Sequence, residues 1–475
     1  MLLFLIVIFI SFSNICCKKL VEVEAPYTNV NSDNLYANDA TAIGALTGIY
    51  AKMSSTSIFN GGLTSMSFFP GLSADEYTLY SGVTDINLLS YYKNSLSSSI
   101  TSTSSFWSRI FPVIYTANSA IEGLNSSKTL TSRVKQQLLG EAEFIRAFCY
   151  FYLINLYGDV PLILSTDYTI NTNAYRSEKK MVWKQIIADL KSAKDLLATE
   201  FPDNTLLGFG NERVRPTQWA ASALLARCYL YTSDYTSADS ESTSIIDHKS
   251  LFNIIIDINE VFLRNSSEAI WQLQPVNAGW NTEDGRWFKI SANGPSTSRP
   301  IYLSTNILNA FEMGDLRESN WINTITVASD TFHYPYKYKS AILGSEVTEY
   351  SMILRLAEQY LIRAEARAQM GNITGNDGAL ADLNIIRNRA GLEDYSGPTD
   401  QTSILATILH ENQVEFFSEW GHRWLDLKRT GNVNAIMSTV ALKKGGSWNT
   451  NWQLYPIPLV ELQKSINVKQ NPGYE

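Results

Sequence analysis

Residues 353–391 read as two amphipathic helices joined by a short glycine-bearing turn, and this unit constrains the fold more than any other stretch of the chain. Ile353, Leu356, Ala357, Tyr360, Leu361, Ala364 and Ala368 recur at three- and four-residue intervals, which gathers them on one helix face until Gly371-Asn372 stops the pattern. Ala379, Leu383, Ile386 and Ala390 repeat the spacing up to Gly391. Alanines where the two backbones approach make the pair a helical hairpin of the tetratricopeptide kind. The pattern recurs upstream: Ala147-Phe-Cys-Tyr-Phe-Tyr152 and Ala226-Arg-Cys-Tyr-Leu-Tyr231 share A-x-C-Y-x-Y, each near the end of an amphipathic stretch (138–146 and 217–225). Their offset is not a multiple of the repeat length of about 34 residues, so insertions interrupt the array. Thr217, after Pro216, is a credible N-cap for the second of these helices. The expected fold is therefore mainly α, a tetratricopeptide-like helical-repeat scaffold with long loop insertions and minor strand content.

The insertions have another character. Residues 54–105 are rich in Ser, Thr, Gly and aromatics, and residues 274–305 combine Asn, Gly, Pro and Ser with two tryptophans and no helical period. Long irregular connections in a compact domain usually carry function or local strands. The serine run 95–105 has the bland alternative of a solvated loop. The chain holds 11 Trp and 25 Tyr, more Trp than a helical array needs for its core. Sugar binding would use such residues: flat rings stack on the C–H face of a pyranose while Asp, Asn and Arg bond its hydroxyls. Trp280 and Trp287 with Asn281, Asp284 and Arg286 supply that mixture in the later insertion. Asp75, Tyr77, Tyr80, Tyr91, Tyr92 and Asn94 supply it in the earlier one, with core packing the alternative for each aromatic.

Other chemistry finds little support. A net charge of -8 disfavours a nucleic-acid partner, which needs a concentrated basic surface. His410-Glu411 lacks the second histidine of a zinc-protease helix, and no nucleophile elbow, phosphate loop or dinucleotide glycine pattern occurs. The acidic pairs Asp75-Glu76 and Glu283-Asp284 are the available candidates for a glycosidase's two carboxylates, without a supporting motif. No catalytic residue, metal or cofactor is expected. Cys149 and Cys228 lie in apolar helical patterns and read as buried small hydrophobes, with a disulfide between them open. Glu411, Glu415, Arg423, Asp426 and Arg429 read as structural charges that pair along a helix or tie it to a loop, and Trp420 and Trp424 as one buried face.

Both ends are distinctive. Leu2–Phe12 is an apolar run too short to span a bilayer, followed after three residues by Cys16-Cys17-Lys18-Lys19, which looks like a lipoprotein signal with the lipid on Cys17, Cys16 and an ordinary secretory signal being the alternatives. The other end, Leu454-Tyr-Pro-Ile-Pro-Leu459 through Gln470-Asn-Pro-Gly-Tyr474, is apolar and stiffened by proline, and should dock on the body. Together with Gly140-Glu-Ala-Glu-Phe-Ile-Arg-Ala-Phe148, Tyr157-Gly-Asp-Val-Pro-Leu162, Arg355-Leu-Ala-Glu-Gln-Tyr-Leu-Ile-Arg-Ala-Glu-Ala366, Asn384-Ile-Ile-Arg-Asn-Arg-Ala-Gly-Leu392 and Gly421-His-Arg-Trp-Leu-Asp-Leu-Lys-Arg429, the sequence resembles the SusD/RagB family of outer-membrane nutrient-binding lipoproteins. The resemblance implies a signal peptide over 1–16, a lipidated N-terminus and linker over 17–34, and a SusD-like domain over 35–475. It implies a non-enzymatic cell-surface protein of the outer membrane, held by N-terminal acyl chains, that captures an oligosaccharide for a SusC-like TonB-dependent transporter. A peptide ligand is the family's alternative. A secreted glycoside hydrolase and a scaffold for protein partners are the competing readings from other classes.

Overall fold

The computed structural model describes residues 35–55, 57–100 and 106–474. The expected signal peptide, Cys17, the linker to residue 34 and the end of the serine run lie outside them.

Helix α1 (Asp39–Ser55) precedes an array built from α2 (Phe106–Ser126), α3 (Ser132–Tyr157), α4 (Lys179–Leu196), α5 (Gln218–Tyr231) and α6 (Tyr235–Ile246). It resumes with α7 (Leu356–Gln369), α8 (Ala379–Arg389) and α9 (Gln401–Glu415), and α10 (His422–Arg429) and α11 (Val433–Lys443) follow. Each helix from α2 to α6 packs on its chain neighbour, and α6 packs on α7 across the excursion 247–355. The second half of α3 is apolar around most of its circumference, and every residue from Phe144 to Tyr157 is buried, so α3 runs through the centre of the array.

Bidentate arginine–carboxylate pairs mark the junctions between helices. Arg146 grips Asp189 between α3 and α4, Arg227 grips Glu358 between α5 and α7, and Arg363 grips Asp382 between α7 and α8. All six side chains are at most about a tenth exposed. Such pairs gain little net stability against desolvation but fix how helices register. Cys149 and Cys228 are free and buried, as small hydrophobes would be.

The strands form two-stranded pairs. β1 (Tyr77–Leu79) pairs with β5 (Ile301–Leu303), β2 (Val160–Pro161) with β3 (Arg176–Ser177), β4 (Ala269–Leu273) with β8 (Ser351–Arg355), and β6 (Ile322–Val327) with β7 (Asp330–Pro335), all antiparallel. The β4–β8 pair corrects one expectation: Ile353 lies in a strand, and the helix begins only at Leu356. Gly371, at φ +80°, then ends α7 in the left-handed conformation that glycine adopts most readily. Thr217 does occupy the N-cap position of α5, but its hydroxyl is buried without a partner and makes no capping bond. Trp420 and Trp424 are both buried yet do not share a helix face. Trp420 precedes α10 in a left-handed conformation and packs on Phe148 and Tyr152, whereas Trp424 packs on Tyr455 and Trp448.

The C-terminal tail docks as expected. Tyr455 N–H donates to the Leu156 carbonyl at 2.8 Å, Asn471 Nδ2 donates to the Tyr157 and Tyr455 carbonyls, and Arg176 holds the carbonyl of Lys469.

Candidate functional site

The β1–β5 pair brings the two irregular insertions together. Tyr80 N–H donates to the Pro300 carbonyl at 2.7 Å, Ser304 N–H to the Glu76 carbonyl at 2.8 Å, and Gly62 N–H to Asp284 Oδ1 at 2.8 Å. The consequence for the earlier insertion is burial. It contains the short helices Phe69–Ser73 and Ile86–Tyr92, and most of its candidate residues point inward.

Asp75 accepts two 2.8 Å bonds from Arg423 on α10; burial opposes its charge, but Arg423 and Lys444 outweigh that and lower its pKa. Tyr77 is fully buried and donates to the Ser67 carbonyl. Tyr91 is stacked 4.1 Å from Phe69, and Asn94 donates to the Ser73 carbonyl. The expected ligand-facing set is corrected accordingly: these four residues are core, and of the six candidates in that segment only Tyr80 and Tyr92 are half-exposed.

The later insertion divides in the same way. Asn281 is buried, where its Oδ1 accepts from the backbone of Thr348 and Glu349 and its Nδ2 donates to the Glu346 carbonyl, so it pins one loop to another. Asp284 faces Gly62, and burial pushes its carboxyl up to about 7 against the pull of hydrogen bonds from Gly62 and Ser67. Both therefore shape the site from beneath.

What reaches the surface is a short ladder. A helix over Glu283–Phe288, capped by Thr282 Oγ1, presents Arg286 and Trp287. The Arg286 guanidinium lies 4.4 Å over the Trp280 ring and 4.8 Å over the Trp287 ring, and Arg299 lies 4.6 Å over Trp287. All four residues are half-buried. Trp287 is held by its indole N–H, which donates to Glu283 Oε2 at 2.6 Å, while Asn277 donates to Glu283 Oε1 at 2.7 Å. Gly62, at φ +79°, lets this edge close: a Cβ there would sit 3.0 Å from Trp287 Cδ1.

Two features escaped the sequence reading. Arg299 is reached only through the turn at Ser296–Arg299, a bridge that no local period signals. A separate hollow of about 510 Å³ lies between α2, the β2–β3 connection and the tail helix Leu459–Lys464, lined by Trp107, Phe111, Tyr115, Tyr168, Asn171 and Val468. Tyr115 and Tyr168 are largely exposed there. Among the described residues no group of three or more His, Cys, Asp or Glu is placed to hold a metal ion.

A central helical-repeat array that carries long irregular insertions defines a repeat-scaffold class of protein. Two family models match the chain: one described as "Starch-binding associating with outer membrane" over residues 68–230, the other as the SusD family over residues 316–474. A SusD-like protein of Formosa agariphila is 24% identical across 97% of this chain and 96% of its own length. Among solved structures, a laminarin-binding SusD-like protein superposes with a TM-score of 0.76 at 23% identity, covering 92% of this chain and all of the other. A surface glycan-binding protein A from Bacteroides uniformis gives 0.77 at 19% identity, covering 91% of this chain and 99% of the other. The chain belongs to the SusD/RagB family. No helix among the described residues is long and apolar enough to cross a membrane.

Proposed function

We propose that this protein is a cell-surface glycan-binding lipoprotein that captures oligosaccharides and passes them to a SusC-like TonB-dependent transporter of the outer membrane. The observation that carries the reading is the half-exposed ladder Trp280–Arg286–Trp287–Arg299, mounted on an excursion from a rigid helical array. Rigid support suits a binding site, because little order is lost when a ligand is held. Starch in one family description, and laminarin and surface glycans in the names of structural neighbours, support the ligand class. Anchoring would come from acyl chains on Cys17, which would keep the folded body at the membrane without a spanning helix.

Binding without hydrolysis is supported by the state of the acidic pairs. Asp75 is committed to Arg423, and Glu76 is buried with its carboxyl pushed up to about 8 by burial. Glu283 is occupied by Trp287 and Asn277, and Asp284 faces Gly62. All four of these acidic residues are buried.

Calorimetry with panels of oligosaccharides and oligopeptides tests the proposal. Trp280→Ala and Trp287→Ala are expected to weaken oligosaccharide binding by about 1–3 kcal/mol, the range for aromatic stacking platforms. Binding of oligopeptides alone would replace glycan with peptide as the ligand. Full affinity in both variants, with loss in Tyr115→Ala or Tyr168→Ala, would move the site to the tail hollow.

A further inference from the structure

The ladder differs from a bare stacking platform. A neutral pyranose needs an open ring face, yet guanidinium groups already lie over Trp280 and Trp287 at 4.4–4.8 Å. Stacking engages the flat face of a guanidinium and leaves its in-plane N–H donors for other partners. Each arginine has five such donors. Few are used here: Arg286 makes one 3.4 Å contact to Glu283 Oε1, and Arg299 makes one 3.3 Å bond to the Ser298 carbonyl. Glu283, the carboxylate that Arg286 contacts, already accepts from Trp287 and Asn277.

Several arginines of the interior differ. Arg146, Arg227, Arg363 and Arg423 each hold a carboxylate with two bonds. Arg213 and Arg176 pair with no carboxylate among the described residues, but backbone carbonyls occupy them. Arg286 and Arg299 have neither kind of saturation. They also oppose one another: burial and the neighbouring Arg286 charge both lower the Arg299 pKa. In a chain of net charge -8, this is a local pair of cations with one long ion pair between them and Glu283, so positive charge is in excess there.

We propose that the ladder recognises an acidic saccharide, whose carboxylate or sulfate bridges Arg286 and Arg299 while the sugar ring lies against the edges of Trp280 and Trp287. The inference rests on the glycan-binding reading and names the ligand class for that site. A planar guanidinium fork matches both anions, so charge supplies the selectivity and the indoles supply the apolar contact. A neutral oligosaccharide offers the guanidiniums only uncharged hydroxyl acceptors, about half as strong as an anionic one.

The test titrates the intact protein with oligogalacturonate, a sulfated galactan oligosaccharide, a neutral β-glucan oligosaccharide and a polyglutamate peptide, at low and high sodium chloride. Acidic oligosaccharides are expected to bind best, with affinity falling as salt rises. Arg299→Gln and Arg286→Gln should each lose about tenfold or more of that affinity, and Arg299→Lys less. The uronate and sulfate arms separate the two anion sources. The salt dependence of the unaltered protein needs no variant, so a folding defect in a substituted chain leaves the test intact. Equal, salt-insensitive binding of the neutral glucan, unchanged by Arg299→Gln, would overturn acid recognition and leave the glycan reading standing. Polyglutamate bound more tightly than any saccharide would overturn the saccharide class. Binding of no saccharide at all would overturn the glycan reading itself.

Discussion

Glu415 offers the sharpest test of how the excursion is held to the helical array. It is fully buried at the end of α9. There it meets Arg355 at 2.5 Å and Arg317 at 3.0 Å, both from the excursion, together with Arg389 from α8. Lys337 adds a 2.7 Å bond to the Glu415 carbonyl. Burial opposes the Glu415 charge, but Arg389, Arg355 and Arg317 outweigh it and hold the carboxyl well below its ordinary value of 4.5. Glu415→Gln keeps the shape and removes the charge. Breaking a buried ion pair costs about 3–5 kcal/mol. Glu268, Glu411 and Glu419 remain beside the arginines, so the lower end, about 3 kcal/mol, applies. With an unfolding entropy of about 2.1 cal/mol/K per residue over roughly 430 ordered residues, that lowers Tm by about 3 °C. Urea unfolding and calorimetry would measure it, with Glu461→Gln at the exposed Lys464 pair as a control expected near zero. A depressed carboxyl contributes stability that is present above 4.5 and lost as pH falls through its folded value. The difference between the two proteins should therefore shrink in acid. A loss below about 1 kcal/mol at neutral pH, or one that salt abolishes, would refute the buried hub.

Three further outcomes follow from individual side chains. The Asp284 carboxyl is raised from 3.8 to about 7, so its contribution is full below 3.8 and is lost as pH rises toward 7. The Tm of Asp284→Asn relative to the unaltered protein should therefore climb across that window, and a constant difference would contradict the assigned burial. Trp219 is buried, with its indole N–H bonded to the Thr199 carbonyl, so Trp219→Ala should cost about 3–5 kcal/mol in denaturant unfolding and half-buried Trp287→Ala about half as much. Equal costs would make Trp287 a core residue. Gly62→Ala places a side chain at φ +79° against Trp287, which should cost about 1–2 kcal/mol and weaken ligand binding together. Unchanged binding would show that the ladder tolerates the displacement.

The helical array was legible because its apolar stripes repeat within one or two turns, and the tail because prolines and large apolar residues leave it few alternatives. Ile353 misled: an apolar run beside a helix extends the helical period, and only its pairing with β4, about 80 positions earlier, makes it a strand. Burial of Asp75, Tyr77 and Tyr91 was hidden for the same reason, since Arg423, β5 and Tyr455 all arrive from distant sequence. Trp280 and Trp287 stood out because two indoles in a polar, glycine-bearing segment lack a helical face to bury them. The reading missed what covers those rings, because the stacking of Arg286 and Arg299 depends on a six-residue helix and a later turn.

The most direct measurement is a crystal structure of the protein with an oligosaccharide from the acidic panel. The sugar is expected against Trp280 and Trp287, with its carboxylate or sulfate within hydrogen-bond reach of Arg286 and Arg299. Sugar density confined to the Tyr115–Tyr168 hollow, or to the outer face of the helical array, would contradict that placement.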